Sequence, residues 1–167
     1  MTRQEATEFY RKHSRPLFQA AFRIVRNEGE AEEIMQDTLL RFLTRPVRIG
    51  SEAQTNAWLR TTCVRLSIDR LRKRRREDLF LRSYAEEEEK EDPDESLPVI
   101  PDIMRIRSVM EQLPQPYGLI LDLVLIEGLD YREISRMTGT KEATLRSLYA
   151  RGRKKLVAAM KNEMQRI

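Results

Sequence analysis

Residues 83–102, "SYAEEEEKEDPDESLPVIPD", limit what this chain can fold into. Pro93, Pro98 and Pro101 interrupt any regular element. The rest is mostly acidic, with too little apolar surface to offset the entropy of ordering. The stretch reads as a linker, 83–102. It divides 167 residues into a first body, 1–82, and a second, 103–167. Both are small for independent domains, so each must bury its apolar residues economically.

Charge follows the same division. The net charge of +4 conceals a basic first part, an acidic middle and a basic last part. Residues 1–85 carry 18 basic and 11 acidic side chains, residues 86–103 one and nine, and residues 104–167 twelve and seven. A basic surface suits a polyanion, most often nucleic acid. The single cysteine, Cys63, excludes an intramolecular disulfide and fits a reducing compartment. The N-terminus has no apolar signal core, and "LILDLVLI" is too short to span a bilayer. These features predict a cytoplasmic protein with no direct membrane insertion.

The apolar spacing is helical nearly throughout, which predicts an all-α chain of two small helical domains. Leu17, Phe18, Ala21, Ile24 and Val25 share one face, with Pro16 suited to a first turn. After a turn at 27–30, Ala31, Ile34, Met35, Thr38, Leu39 and Phe42 form a second stripe. Residues 44–55 lack a period and read as a loop. A long helix is predicted from Asn56 to about Arg76, with Trp58, Leu59, Thr62, Leu66, Ile68, Leu71 and in part Asp69 inward. In the second body, "IMRIRSVMEQL" is a helix stopped by Pro114 and Pro116. "YGLILDLVLIEG" is a central apolar helix ended by Gly128. Asp130 and Glu133 have capping-box spacing before a short helix. A turn at 138–140 leads into a last helix, from about Lys141 to Met164.

The last two helices have the offsets of a helix-turn-helix. Gly139 lies in the turn and Ser135 is the small residue four before it. Leu145 and Leu148 lie six and nine after it. With Leu145 placed inward at 100° per residue, Ala143, Ser147, Ala150 and Lys154 face out. Thr144, Arg146 and Arg151 flank them. Small residues permit close approach to a major groove, and the cations suit base edges or phosphates.

Two features of the first body go beyond core packing. Leu40 lies off the apolar stripe, among Glu33, Gln36, Asp37 and Arg41, as an apolar centre in a polar face. "RLRKRRR" (70–76) packs six cations into seven residues, more than a helix dipole calls for.

"AEEIMQDTLLRF" and "AWLRTTCVRLSIDRLRKRRR" together resemble the second conserved region of bacterial sigma factors of the extracytoplasmic-function (ECF) group. "LPQPYGLILDLVLIEGLDYREISRMTGTKEATLRSLYARGRKKL" resembles their fourth region. The resemblance implies that Glu33, Gln36, Asp37, Leu40 and Arg41 dock on the clamp coiled coil of core RNA polymerase. It implies that Asn56, Arg60, Arg65, Arg72, Lys73, Arg74, Arg75 and Arg76 meet the start-proximal promoter element. That element would be melted and its unstacked base held in a pocket. Thr144, Arg146, Ser147, Ala150, Arg151 and Lys154 would read the upstream element as duplex. The acidic strap would follow the polymerase's RNA channel, or fold back on the basic patches and suppress stray DNA binding. An anti-sigma factor would cover the docking faces, and the free chain would be a monomer. Thr62, Arg65, Lys141–Ala143 and Ala150 depart from the usual pattern, so a relative's promoter sequence does not transfer.

Catalysis finds no support. His13 is the one histidine, without a nucleophile partner, and neither a metal-ligand spacing nor a cofactor motif is present. The rival readings are a helix-turn-helix regulator that binds operator DNA without polymerase, and an adaptor whose basic faces bind an acidic protein.

Overall fold

The computed structural model describes residues 1–45, 50–75 and 103–165. They form seven helices in two compact units, divided between Arg74 and Arg75, and no strand occurs among them. The predicted linker, 83–102, lies outside the described residues.

The first unit has three helices. α1 (Arg3–Val25) opens on a capping box in which Thr2 and Glu5 satisfy each other's backbone N–H groups. It runs through Pro16, which the sequence places at a helix start. Burial of His13 before the proline and of Leu17, Ala20, Ala21, Ile24 and Val25 after it joins both halves to one core. That burial offsets the lost backbone bond. Arg26 ends α1 in the left-handed region, and Asn27 caps α2 (Glu28–Leu43) at once. The turn is therefore shorter than residues 27–30. α2 buries Ala31, Ile34, Met35, Thr38 and Leu39, the predicted stripe without its half-buried Phe42.

α3 (Glu52–Arg75) starts four residues before the predicted Asn56. The Ser51 hydroxyl accepts from the Gln54 N–H, which explains the earlier start. Its buried face is Leu59, Cys63, Val64, Ser67, Ile68 and Leu71. Trp58, Thr62 and Leu66 are only half-buried, and Asp69, expected partly inward, is exposed because a carboxylate keeps its solvation on the helix border. The hydropathy pattern leaves Cys63 and Ser67 out of the stripe because both count as polar or neutral; Cys63 nonetheless reads as a packed small residue, and it is fully buried. Inside the helix they satisfy themselves: the Ser67 hydroxyl donates to the Cys63 carbonyl at 2.7 Å. The Cys63 thiol donates to the Leu17 carbonyl of α1 at 3.4 Å.

The second unit has α4 (Ile103–Gln112), α5 (Tyr117–Leu121), α6 (Tyr131–Thr138) and α7 (Glu142–Gln165). A π-helical turn, Asp122–Ile126, continues α5 directly. The segment is central as predicted: Leu119, Ile120, Leu121 and Leu123 are all buried. The wider π turn carries the chain to Gly128, whose φ of 69° opens the way to α6. α7 packs against α4, α5 and α6.

Gly152 on α7 sits against α5. A Cβ there would lie 3.4 Å from Leu121 Cγ and 3.6 Å from Tyr117 Cβ. The crossing tolerates little more than a methyl group. Gly152→Leu should destabilise the second unit by about 1–3 kcal/mol through overpacking. Faster amide hydrogen exchange in α5 and α7, with α1–α3 unchanged, is the expected signature.

Candidate nucleic-acid and protein-docking surfaces

The helix-turn-helix is built as its offsets predict. The Asp130 carboxylate caps α6 by accepting from the Glu133 N–H at 2.8 Å. Gly139 ends α6 at φ 75°, a conformation that strains any residue with a Cβ. The Ser135 hydroxyl donates to the Thr140 carbonyl at 2.6 Å, and the Thr140 N–H donates to the Thr138 hydroxyl at 3.2 Å. These bonds fix the three-residue turn from the inside. Ile134, Leu145 and Leu148 are fully buried and lock α7 onto α6.

The outward side of α7 is less open than the helical projection suggests. Arg146 is exposed, and Thr144, Ser147, Ala150 and Lys154 are half-buried. Arg151 is a correction. Predicted on the border of the outer face, it is only 5% exposed. It precedes Gly152, where the close helix crossing draws α7 inward. A rotation of 100° per residue gives the direction of a side chain but not the depth of its neighbours. Arg146 lies with its guanidinium carbon 5.5 Å from the centre of the Tyr131 ring. Tyr131 in turn meets Tyr149 edge-on, with ring centres 6.2 Å apart.

In the first unit, α2 presents Glu33, Gln36, Leu40 and Arg41 to the outside, with Asp37 half-buried. Leu40 is 60% exposed, as its position off the stripe predicts. Leu43, one turn on and 41% exposed, enlarges the apolar centre. The sequence reading passed over Leu43, although the i, i+3 spacing from Leu40 signals it. Arg41 is held along the helix by Asp37 at 3.3 Å.

On α3, Asn56, Arg65, Arg72, Lys73 and Arg74 are exposed and Arg60 is half-buried. The side chain of Arg75 and the whole of Arg76 lie outside the described residues. Arg70 and Arg74 are engaged within the fold. Arg70 pairs with Glu33 of α2 at 3.0 Å, and Arg74 pairs with Glu30 at 3.1 Å. Arg74 also donates to the Val25 carbonyl at the end of α1, at 3.1 Å. Arg74 thus ties together all three helices, a role its place in a basic run does not disclose.

An aromatic row joins the three helices. Phe9 stacks on Phe42 at 4.8 Å, Phe42 meets Trp58 at 5.5 Å, and Arg45 covers the Trp58 ring at 4.5 Å. His13 closes the row against Phe9 at 4.5 Å. Burial, with help from the Lys12 charge, pushes the His13 imidazole below its usual range, against a smaller opposing pull from Glu52. Lys12 is paired with Glu52 at the start of α3, which lowers the Glu52 carboxyl.

Among the described residues, no cluster of His, Cys, Asp and Glu could hold a metal ion. No helix among them is long and apolar enough to cross a membrane.

The geometry agrees with comparisons to known proteins. Residues 9–77 match the model of sigma-70 region 2, and residues 103–156 match that of sigma-70 region 4. The chain belongs to the ECF group of sigma factors. An ECF RNA polymerase sigma factor, SigE of Mycolicibacterium smegmatis, is 28% identical over 154 residues, covering 89% of this chain and 59% of the relative. SigV of Bacillus subtilis, an RNA polymerase sigma factor, is 24% identical over 141 residues, covering 81% of this chain and 78% of its own. SigL of Mycobacterium tuberculosis, also of the ECF group, is 28% identical over 143 residues, covering 83% and 78%. The chain thus spans less than two thirds of SigE and more than three quarters of the other two. The sigma factor RpoE of Bartonella quintana, solved with the anti-sigma factor NepR, shares the fold at a TM-score of 0.50. It is 20% identical, covering 95% of this chain and 98% of the solved one.

Two measurements test the first unit. Trp58 is the only tryptophan in the sigma factor, so its fluorescence reports unfolding of this unit alone. Arg74→Ala should lower stability by about 1 kcal/mol, through the lost charged bond to Val25 and an ion pair weakened by solvent. Lys73→Ala should change it by less than about 0.5 kcal/mol. A second expectation concerns pH. A histidine held below its unfolded pKa binds its proton more readily in the unfolded chain. Stability should therefore fall as pH drops below about 6.5. Glu52 adds its own loss only below the carboxylate range, near 4.5. His13→Gln should flatten the decline between pH 6.5 and 5 and leave the lower one.

Proposed function

We propose that this sigma factor binds core RNA polymerase and directs it to promoters through two DNA-facing units. The observation that carries the reading is the pairing, in one chain and in order, of a region 2 unit and a region 4 unit. The first, 1–82, docks the polymerase clamp coiled coil through Glu33, Gln36, Asp37, Leu40 and Arg41, with Leu43 beside them. Its α3 cations, together with Asn56, meet the start-proximal element as it melts. The second, 103–167, reads the upstream element through Thr144, Arg146, Ser147, Ala150 and Lys154. The acidic segment 83–102 joins them along the polymerase's RNA channel, where its charge is complementary and DNA is repelled.

The work is binding rather than catalysis, and it needs no cofactor or metal. It takes place where core polymerase is, in the cytoplasm. An anti-sigma factor that covers the polymerase-docking face controls it; the solved Bartonella relative carries one. The free sigma factor is a monomer.

The test is capture of purified core polymerase, followed by run-off transcription from a library of genomic fragments. Stable capture and new, discrete start sites are expected. Leu40→Asp should weaken capture by about tenfold or more, because a leucine buried on docking contributes about 1.5–3 kcal/mol. Arg146→Ala should leave capture intact and weaken transcription from the selected promoters. DNA binding without capture would make the chain an operator-binding regulator. Capture unaffected by Leu40→Asp would move the docking face elsewhere.

A further inference from the structure

Arg146 is exposed on the outward side of α7, yet it does not stand free in solvent. Its guanidinium carbon lies 5.5 Å from the centre of the Tyr131 ring, within cation–π range. Tyr131 is the first residue of α6, directly after the Asp130 cap. It is half-buried, and Tyr149, one turn beyond Arg146 on α7, meets it edge-on at 68° between ring planes. One ring thus lies against the arginine and a second meets that ring at its edge, and the two rings come from both helices of the helix-turn-helix. The groups facing the Tyr131 phenol agree with this arrangement: burial and Tyr149 push it up, and the Arg146 charge pulls it down.

An arginine side chain has about 2 kcal/mol of rotamer entropy to lose when it is fixed on a ligand. A ring that holds the guanidinium beforehand removes part of that cost and fixes the direction of its donors. The pattern of hydrogen bonds to DNA is then selected before contact. We propose that Tyr131 is a positioning residue for Arg146, so that sequence discrimination at the upstream element depends on a side chain of the first helix. This rests on the reading of α7 as the helix that meets that element. Tyr149 supports the ring from its edge. The side chains of the outer face that flank Arg146, Ser147 and Ala150, are too short to take over the stacking.

The test uses the full chain reconstituted with core polymerase. Holoenzyme is used to select from duplexes whose upstream region is randomised, giving a base-preference profile. Arg146→Ala is expected to flatten particular positions of the wild-type profile. Tyr131→Leu should flatten the same positions and lower affinity for the preferred sequence by about two- to fivefold, the size of an exposed cation–π contact. Tyr131→Phe, which keeps the ring, should retain the profile. The double variant Tyr131→Leu/Arg146→Ala should be no weaker than Arg146→Ala alone. Hydrogen-exchange protection of α6 in Tyr131→Leu separates misfolding from mispositioning.

The proposal fails if Tyr131→Leu, folded, weakens all sequences alike or if the two losses multiply. It fails equally if Tyr131→Leu alters only positions that Arg146→Ala leaves untouched. A wild-type profile unmoved by Arg146→Ala would remove Arg146 from base reading and this proposal with it. A wild-type holoenzyme that selects no upstream sequence would instead overturn the reading of α7 itself.

Discussion

Each unit depends on one long helix that has to be core and surface at once. α3 and α7 have 24 residues each, about 36 Å of helix at the standard rise. Bodies this small cannot enclose such a rod. One side of each is therefore buried against its neighbours, and cations occupy much of the rest. The buried side sets the rotation of the helix, and that rotation decides which cations reach outward. In α7, Leu145, Leu148 and Leu156 face the core, and Arg146 is turned out because they are turned in. Residues near the core, such as Cys63, Ser67 and Gly152, set the outer faces through the same geometry. A residue too large at any of them rotates or displaces the outer face.

The charge of the outer faces is smaller in effect than the sequence suggests. Arg70 and Arg74 are paired with Glu33 and Glu30. Arg45 and Arg146 lie over aromatic rings, and Arg151 is buried. Exposed ion pairs contribute little to stability, between about 0 and 1 kcal/mol each. What they do control is direction. A guanidinium that is already stacked or paired points one way, and a ligand must match that direction or break the contact.

Much of this was legible in the sequence, for identifiable reasons. The helix-turn-helix offsets are strict because Gly139, Ser135, Leu145 and Leu148 each meet a local steric demand. The stripe of α2 and the exposed Leu40 followed from periodicity alone. What escaped was set by contacts between elements. Pro16 looked like a helix start because its local rule favours one, and tertiary burial on both sides overrode it. The inward face of α3 was blurred because Cys63 and Ser67 satisfy their polar atoms with nearby carbonyls. Arg151 and Arg74 are cations in cationic surroundings, and their neighbours in space decide their surroundings. No spacing rule supplies those neighbours.

The ion pairs between α2 and α3 have a consequence for how the two surfaces of the first unit act. Glu33 belongs to the proposed polymerase-docking face and Arg70 to the basic end of α3, and the two are one salt bridge. Removing the carboxylate releases a guanidinium as well as removing a docking group. A Glu33→Gln variant would lose negative charge toward polymerase and gain an unpaired cation toward DNA, two changes opposite in sign for assembly. Leu40 has no such entanglement: it is exposed and uncharged, and it lies two turns along the same face from Glu33. For that reason an apolar contact, rather than a charged one, would separate the proposed polymerase docking from the proposed promoter binding.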